Sequence, residues 1–439
     1  MKKKVALHNL GCKVNAYEVE AMQQLLENAG YETVPFEEGA DVYVINTCTV
    51  TNIADRKSRQ MLHKAKKMNP DAIVVATGCY AQADTEKLKE DTAVDLILGN
   101  NQKTQIVEAL EEYEKEHAKQ VQVIEINHTK EYEELSISST AEHVRAYIKV
   151  QDGCNQFCTY CIIPFARGRV RSRKIEEVLS EVETLAAKGY KEVVLTGIHL
   201  SSYGVDFPKE ERESLLSLIQ AVSRVEGISR IRLGSLEPRI ITEEFLEGIV
   251  KTGKVCPHFH LSLQSGCNKT LKNMNRRYSA QEYAEKCELI RKFYPAPALT
   301  TDVIVGFPQE TEEDFEDTLD VVRKVKFEQV YMFIYSRRTG TPGDKMENQV
   351  PDDVKHKRFD RLKALVENQI EKRNKEYVGT IQKILVEGRS KTNENTYTGR
   401  TDSNKVVIFE GKEENIGKVV DVEITSEHMW YLKGAIVNG

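Results

Sequence analysis

The chain has 439 residues and a formal net charge of −6 at pH 7, so it is long enough for two or three domains and has no overall positive charge. No apolar run approaches the about 20 residues that span a bilayer, and the apolar stretch at the start is too short for a signal peptide, which predicts a cytoplasmic protein with no membrane partner. Nine cysteines in so long a chain exclude a disulfide scaffold and favour metal ligands or buried thiols.

The first part of the chain alternates short apolar strands with helices. Strands are predicted at residues 4–10, 41–47, 72–77 and 95–98, and helices at 16–29 and 54–68. This alternation is typical of βαβ units, so residues 1–120 are assigned to a parallel α/β domain. The segment 121–143 is largely polar and poor in apolar residues, and we assign it to a linker.

Three of these N-terminal strands are each followed by a cysteine: Cys12, Cys48 and Cys79. Because the carboxyl ends of neighbouring parallel strands lie at one edge of a sheet, we expect the three thiols to converge. Three convergent thiolates indicate an iron–sulfur cluster in which one iron has no protein ligand. The alternative is three unrelated buried cysteines.

From residue 144 the alternation of strand and helix resumes and repeats about six times. The predicted strands are 145–151, 192–197, 230–236, 258–264, 299–305 and 329–335. Repeated units of this length predict a partial (β/α)6 barrel over residues 144–371, with the functional groups on the loops that follow the strands.

The most specific motif of the chain follows the first of these strands. Cys154, Cys158 and Cys161 have C-x3-C-x2-C spacing. Three closely spaced thiolates bind three irons of a [4Fe–4S] cluster and leave the fourth iron open to a substrate group. The spacing argues against zinc, whose structural sites usually pair two short Cys hooks or add histidines. A loop of buried free cysteines is the alternative.

Small or polar residues lie at the ends of the later strands. The candidate cofactor-binding residues are Gly197, Glu237, Gln264 and Gly306, together with the aromatic Tyr160 of the cysteine motif. Glycine lets the backbone approach a ligand closely, so these residues predict a pocket for a nucleoside-like cofactor. His199 receives no catalytic role, and Cys256, Cys267 and Cys287 are interpreted as packing residues because they share no ligand spacing.

A basic run follows the cysteine motif, with five basic and no acidic residues between Pro164 and Lys174. Such a run favours contact with a polyanion, but its arginines could also bind the carboxylate of a cofactor or pair with nearby acids. The candidate RNA-binding residues of the run are Arg167, Arg169, Arg171 and Arg173.

After a long charged helix predicted at residues 352–377, the pattern changes to five short strands separated by polar turns. It predicts a small antiparallel β-barrel over residues 372–438. Lys383, Arg389 and Arg400 lie on or beside these strands and are further candidates for RNA contact.

Together these motifs resemble the radical S-adenosylmethionine (SAM) methylthiotransferases over nearly the whole chain. The stretch Cys154–Cys161, with Tyr160 inside it, is similar to the radical SAM signature. Leu10–Asn15, Asn46–Val50 and Thr77–Cys79 resemble the three motifs of the family's auxiliary cluster. The resemblance implies a TRAM-type C-terminal barrel, SAM as a cofactor, and one [4Fe–4S] cluster on each cysteine triplet.

The same resemblance implies a radical reaction that uses two SAM molecules. One is cleaved to a 5′-deoxyadenosyl radical that abstracts hydrogen from carbon 2 of an adenine, and the other methylates a sulfur carried by the auxiliary cluster. Residues 13–18 and 152–173 are similar to the branch that converts N6-threonylcarbamoyladenosine, next to the anticodon of tRNA, to its 2-methylthio derivative. The implied partners are the tRNA anticodon loop, an electron donor and a sulfur source.

Three alternatives stay open. The same chemistry could act on N6-isopentenyladenosine of tRNA or on an aspartate of a ribosomal protein. A third alternative, of another class, is a non-catalytic iron–sulfur protein that binds RNA or transfers electrons. It predicts fully ligated clusters, and two sets of only three cysteines count against it.

Overall fold

The computed structural model describes residues 2–140, 144–390, 393 and 395–437. Residues 2–140 form a parallel sheet of six strands in the order β2-β1-β3-β4-β5-β6. The strands are β1 (Lys4–Asn9), β2 (Glu32–Thr33), β3 (Val42–Thr47), β4 (Ile73–Gly78), β5 (Leu96–Leu98) and β6 (Gln120–Gln122). The helices are α1 (Lys13–Asn28), α2 (Asn52–Met68), α3 (Cys79–Ala83), α4 (Thr85–Glu90) and α5 (Ile106–Glu116).

The middle of this sheet is apolar on both faces. Every residue of β3 is buried, because its β-branched and aromatic side chains pack into two separate cores, one on each face of the sheet. The predicted parallel α/β domain is therefore confirmed. The sheet also includes β6, which extends two residues past the predicted boundary at residue 120.

The segment predicted as a linker packs against both neighbouring domains. Leu135 and Ile137 are buried in the core of the central domain. The Tyr17 hydroxyl of α1 donates a hydrogen bond to the Leu135 carbonyl oxygen at 2.6 Å, and the Ser138 amide donates to the Gln24 side chain at 2.7 Å. The end of the predicted linker, residues 141–143, lies outside the described residues.

The central domain is a partial barrel whose parallel strands follow one another in chain order. The strands are β7 (Arg145–Asp152), β8 (Arg171–Ser172), β9 (Glu192–Gly197), β10 (Arg230–Leu233), β11 (Ser235–Leu236), β12 (His258–Leu261), β13 (Ala298–Val305) and β14 (Gln329–Ile334). They form two sheets, β10-β9-β7-β8 and β11-β12-β13-β14, and Gly234 alone separates β10 from β11. Only β8 pairs antiparallel with its neighbour in these sheets, so the predicted succession of six parallel strand positions is confirmed.

Helices follow the strands of this domain, and the longer ones cover the outer face of the partial barrel. They are α6 (Ile163–Ala166), α7 (Ile175–Ala187), α8 (Leu215–Ser223), α9 (Glu243–Val250), α10 (Asn268–Asn273), α11 (Ala280–Phe293), α12 (Glu312–Val325), α13 (Pro342–Lys345) and α14 (Asp352–Tyr377). Local signals start several of them, for example a capping box at Ser279 and Glu282 for α11 and one at Thr311 and Asp314 for α12.

The C-terminal domain is a closed barrel in the order β15-β16-β17-β19-β18. Its strands are β15 (Ile381–Arg389), β16 (Thr396–Arg400), β17 (Val406–Glu410), β18 (Val419–Glu427) and β19 (Leu432–Ile436). The pair β17 and β19 is parallel and the other pairs are antiparallel, so the predicted barrel is present with one parallel pairing.

Helix α14 passes straight through the predicted boundary between residues 371 and 372 and ends at Tyr377. Although it has 26 residues it is highly charged, and in the part of the chain that the structure describes no helix is both long and apolar enough to cross a bilayer.

A comparison of two glycine substitutions in the N-terminal domain, one at a packed position and one at an open position, tests the packing at the end of β4. Gly78 has φ +91°, and a Cβ there would overlap the Asn46 side-chain oxygen and the Thr47 carbonyl oxygen. Gly30, after α1, has φ +93° with open space around it. We expect Gly30→Ala to cost about 1 kcal/mol from backbone strain alone, and Gly78→Ala to cost clearly more because neighbouring atoms must also move.

Urea unfolding followed by circular dichroism measures both variants. Equal losses of stability in the two would contradict the packing described around Gly78.

Candidate iron–sulfur and cofactor site

The loop after β7 brings Cys154, Cys158 and Cys161 together. Gly153 turns the chain with φ +69°, and a Cβ there would overlap the Arg169 carbonyl oxygen, so glycine is required. The Cys154 amide then donates a hydrogen bond to the Gly168 carbonyl oxygen at 3.0 Å, and the Cys161 amide donates to the Cys158 carbonyl oxygen at 2.9 Å. The predicted grouping of these three residues is present.

A distant segment fixes this loop and contacts one of its sulfurs. The Thr159 amide donates to the Met274 carbonyl oxygen at 3.2 Å, and its hydroxyl donates to the Asn273 carbonyl oxygen at 2.8 Å. Arg276 donates from Nη1 to the Cys158 sulfur at 3.3 Å. Sequence spacing could not identify this contact, since 118 positions separate the two residues.

Burial controls the protonation of these thiols. Together with a smaller effect of the nearby Cys158, it raises the pKa of Cys154 to about 11 and that of Cys161 to about 12. A thiolate at this position therefore needs a positive partner, and bound iron would provide one.

The second cysteine triplet lies where three strands of the N-terminal sheet end. Cys12 caps α1, Cys48 follows β3, and Cys79 begins α3. A Cβ at Gly11 would lie 3.0 Å from the Cys48 sulfur, and the charge of Cys79 acts on both Cys12 and Cys48. The structure thus brings the three thiols to one edge of the sheet, as their positions after successive strands predicted.

The chemical environment of this triplet also suits a sulfur ligand set. Burial raises the pKa of Cys48 to about 11 and also raises the pKa of Cys12, although Cys12 keeps contact with solvent. The Asn100 amide lies 3.8 Å from the Cys79 sulfur, at the outer limit for such a donor, and donates to the Ala166 carbonyl oxygen at 2.7 Å.

The Arg167 side chain joins the two domains beside both triplets. Its Nε donates to the Cys79 sulfur at 3.1 Å, and its Nη1 lies 2.8 Å from the nearer Glu18 carboxylate oxygen and 3.1 Å from Asp152. Asp152 stands two residues before Cys154. One fully buried guanidinium therefore connects the N-terminal sheet, helix α1 and the cysteine loop.

Lysines complete this buried network of charges. Lys149 lies 2.9 Å from Glu18 and 2.7 Å from Asp152, and Lys103 lies 3.4 Å from Glu18. Burial alone would raise the pKa of Glu18, but Arg167 and the two lysines hold it well below its ordinary value. Both carboxylates are therefore ionised and fully paired.

The basic run after the cysteine motif corrects one prediction. Arg167, Arg171 and Arg173 are buried, and their charges meet Glu18, Asp152 and Glu181. They cannot contact RNA phosphates without leaving these partners, so their assignment as RNA-binding residues is wrong and the alternative of pairing with acids is correct. Arg169 is exposed, with its guanidinium 4.4 Å from the centre of the Phe157 ring.

The three basic candidates of the C-terminal barrel lie at or near the surface. Lys383 and Arg389 are exposed, and Arg389 pairs with Glu413 at 2.9 Å. Arg400 is half-buried and lies 2.9 Å from Glu387. RNA contact by Lys383 and Arg389 stays a prediction.

Two of the predicted cofactor residues contact protein instead of open space. A Cβ at Gly197 would lie 2.8 Å from the Gln151 side-chain oxygen, and one at Gly306 would overlap the aliphatic stem of Lys355 on α14. The close approach that favours glycine at both positions is therefore made to packed side chains, and contact of these two glycines with a cofactor stays a prediction.

The other three cofactor candidates are Tyr160, inside the cysteine loop, and Glu237 and Gln264, which follow β11 and β12. The Tyr160 ring packs edge-on against Phe307 with centroids 6.5 Å apart. Glu237 is buried, accepts two hydrogen bonds from Arg239 at 2.7 and 2.8 Å, and lies 3.9 Å from His199. Gln264 has φ +70° at the end of its strand, and its amide donates to the Asp302 carbonyl oxygen at 2.8 Å. Cofactor contact by these residues stays a prediction.

The donor groups around the sulfurs test whether the triplets fit iron–sulfur clusters. Within the described residues, no three His, Cys, Asp or Glu side chains converge tightly enough to hold a single metal ion. A [4Fe–4S] cluster distributes its thiolates over separate irons, so its ligands stand farther apart than those of one zinc ion. Arg276 and Arg167 each direct an N–H group at a sulfur, which suits anionic cluster ligands.

The raised pKa values predict how the cluster-free protein reacts. Because the thiolate is the nucleophile, alkylation of Cys48 and Cys154 should keep rising with pH up to their pKa values of about 11 in the folded chain. In urea the same residues should level off soon after pH ~8.5, the ordinary range of a cysteine. Iodoacetamide labelling quantified peptide by peptide measures both profiles, and a folded-state plateau near pH 9 would contradict the expectation.

Comparison with known proteins assigns each domain. Residues 4–99 match the uncharacterized protein family UPF0004, residues 148–322 match the radical SAM superfamily, and residues 375–437 match the TRAM domain. A solved structure of the radical SAM methyltransferase TsrM from Kitasatospora setae is similar in fold, with a TM-score of 0.57 and 16% identity over 78% of this chain and 75% of that one.

Curated relatives match the chain over most of its length. A threonylcarbamoyladenosine tRNA methylthiotransferase MtaB of Bacillus subtilis is 43% identical over 99% of this chain and 96% of its own, and one of Aquifex aeolicus is 45% identical over 82% and 87%. A tRNA-2-methylthio-N(6)-dimethylallyladenosine synthase of Carboxydothermus hydrogenoformans is 39% identical over 97% and 98%. The chain therefore belongs to the radical SAM tRNA methylthiotransferases, whose cofactors are SAM and two [4Fe–4S] clusters.

Proposed function

We propose that this enzyme converts N6-threonylcarbamoyladenosine next to the anticodon of tRNA to its 2-methylthio derivative. The support is the similarity to two relatives named for that substrate, at 43% and 45% identity. Methylthiolation of N6-isopentenyladenosine is the second candidate, because relatives at 39% identity are named for the dimethylallyl substrate.

The observation that most supports two cooperating clusters is the pair of cysteine triplets joined through one buried arginine. We assign Cys154, Cys158 and Cys161 to the cluster that binds SAM, and Cys12, Cys48 and Cys79 to the auxiliary cluster. When bound, these cofactors supply the radical chemistry and the methylthio group.

The protein itself holds the two sets of thiols in place, shields them from water and stabilises their negative charge. The loop after β7 and the edge of the N-terminal sheet hold the two sets of thiols on the two sides of the domain interface that Arg167 bridges. Arg276 and Arg167 donate hydrogen bonds to Cys158 and Cys79, which stabilises negative charge on sulfur. Burial of five of the six thiols wholly or in part limits the access of water.

The tRNA is expected to contact both ends of the molecule. The TRAM domain exposes Lys383 and Arg389, and Arg169 is exposed beside the cysteine loop with its cation over an aromatic ring. We propose these three residues as phosphate contacts. An electron donor and a sulfur source complete the reaction, and the tRNA substrate implies a cytoplasmic location.

Nucleoside analysis of tRNA tests the substrate. In cells that lack this gene, the 2-methylthio form should disappear and N6-threonylcarbamoyladenosine should accumulate, as measured by liquid chromatography–mass spectrometry. Loss of the 2-methylthio form of N6-isopentenyladenosine instead would identify the second candidate as the substrate. An unchanged nucleoside profile would refute action on tRNA.

Cysteine variants test the ligand assignment. Cys79→Ser should remove about half of the iron and abolish methylthiolation while 5′-deoxyadenosine is still released from SAM, because only the auxiliary cluster is lost. Cys158→Ser should abolish both reactions. Cys287→Ala, which removes a buried thiol outside both triplets, is the control and should keep full iron content. Normal iron in either triplet variant would refute the assignment.

A further inference from the structure

A cavity lies between the partial barrel and the C-terminal barrel, away from the cysteine triplets. It has a volume of about 220 Å³, and residues at the start of β12, β13 and β14 form one wall while two turns of the C-terminal barrel form the other. The cysteine loop follows the last residue of β7, and these strands run parallel, so the cavity lies at the opposite end of the partial barrel. It is therefore separate from the cluster site.

Two exposed aromatic side chains line this cavity. Trp430, between β18 and β19, is the only tryptophan of the chain. It is 64% exposed, the largest fraction of any large apolar residue among those that the structure describes. Tyr331 of β14 is 49% exposed, although its neighbour Val330 is buried in the core. Exposed rings on the wall of a cleft are typical of sites that stack on nucleobases.

Two buried polar atoms of the same cavity have no hydrogen-bond partner among the described residues. They are Nδ1 of His258, a residue that is only 7% exposed, and the side-chain oxygen of Asn404. Burial and, to a smaller extent, the charge of Arg232 lower the pKa of His258 well below its ordinary value, so the imidazole is neutral and has one donor and one acceptor nitrogen. Unsatisfied buried groups are rare in folded proteins, and a ligand with donors and acceptors along one edge would satisfy both.

One buried side chain of α14 holds both turns of the C-terminal barrel in place. The Asn374 amide donates to the carbonyl oxygens of His428 and Met429 at 2.8 and 3.3 Å, and the Asn374 side-chain oxygen accepts from Lys405 Nζ at 2.6 Å. Lys405 also lies 2.8 Å from Glu328, the residue before β14. The walls of the cavity are therefore fixed before a ligand binds, which lowers the entropic cost of binding.

The size and the chemistry of the cavity favour a single nucleobase over a protein surface. A specific protein interface buries about 1,000 Å² or more, whereas this cavity is concave and is lined by a few side chains from each domain. A nucleobase presents flat faces to aromatic rings and a polar edge to hydrogen-bonding groups. One wall belongs to the TRAM domain of a tRNA-modifying enzyme, so the unpaired bases of tRNA are the matching ligands.

We propose that this cavity is a base-binding subsite, in which Trp430 and Tyr331 stack on an unpaired nucleobase of the tRNA while His258 and Asn404 hydrogen-bond to its edge. The proposal rests on the proposed function only in that the substrate is a tRNA, and it is independent of which adenosine is modified. Because the cavity and the cysteine loop lie at opposite ends of the partial barrel, the base held here is not the base that reacts. The subsite thus recognises the tRNA by a second nucleotide.

The fluorescence of Trp430 tests the proposal directly, because the chain has no other tryptophan. The cluster-loaded protein is titrated with tRNA from cells that lack this gene, with a fully paired RNA duplex of equal length, and with adenosine monophosphate. We expect saturable quenching by the tRNA alone, since the duplex has no unpaired base and the free nucleotide lacks the phosphate contacts that the rest of the RNA makes.

Two fluorescence results would overturn the proposal. Equal quenching by the duplex would assign the signal to phosphate charge. Equal quenching by adenosine monophosphate at the same concentrations would identify a site for a free nucleotide instead of a subsite for tRNA.

Substitutions test the same contacts through affinity, measured by filter binding. Trp430→Ala and Tyr331→Ala should each raise Kd for the tRNA about tenfold, within the range for one stacked base, whereas Trp430→Phe should keep most of the affinity. His258→Phe keeps a ring without nitrogen atoms and should raise Kd about fivefold. Ile381→Ala, which removes an exposed apolar side chain of the same barrel outside the cavity, is the control and should behave as the wild type. Circular dichroism and iron content verify that each variant is folded and holds its clusters.

Salt dependence separates stacking from phosphate contact. Loss of one phosphate contact reduces the slope of log Kd against log salt concentration by about one, so Trp430→Ala should weaken binding with an unchanged slope. A reduced slope, or unchanged affinity in both Trp430→Ala and Tyr331→Ala, would refute the subsite. Either result leaves the proposed function intact if the wild type still methylthiolates tRNA, whereas an unchanged nucleoside profile in cells that lack the gene refutes the proposed function itself.

Discussion

The Arg167 guanidinium, buried between Glu18, Asp152 and the Cys79 sulfur, is the contact on which the rest of the structure depends. Removing one partner from such a buried group typically costs about 3–5 kcal/mol, because the remaining charge is left without compensation. Each partner comes from a different element that bears on one of the cysteine triplets. The contacts of Arg167 therefore determine both how the N-terminal domain docks and how the two triplets are placed relative to each other.

A second polar contact fixes the opposite side of the same interface. Arg338, after β14, pairs with Asp55 and donates to the Thr49 hydroxyl, and Asn52 lies beside it. Thr49 directly follows Cys48. The N-terminal domain is thus attached beside the ends of both the first and the last strand of the partial barrel.

Short-range pattern was enough to predict the three-part fold and the convergence of each cysteine triplet, whose role as cluster ligands stays a prediction. Strand and helix periodicity depends on neighbouring residues, and the carboxyl ends of parallel strands converge whatever the loops contain. The arginine run was misassigned for the opposite reason, since Glu18 lies 149 positions before Arg167 and no local pattern connects them. The sequence could not identify what Gly197 and Gly306 approach, because a close approach to Gln151 or Lys355 requires glycine as strictly as an approach to a ligand does.

The unbroken helix α14 has a mechanical consequence. With 26 residues at about 1.5 Å each it measures about 39 Å, and it runs from the loop after α13 to the start of the C-terminal barrel. Because each residue turns an α-helix by about 100°, an insertion of one residue would swing the barrel round to another side. The length and the rotational phase of this one helix therefore set both the distance and the orientation of the C-terminal barrel relative to the central domain.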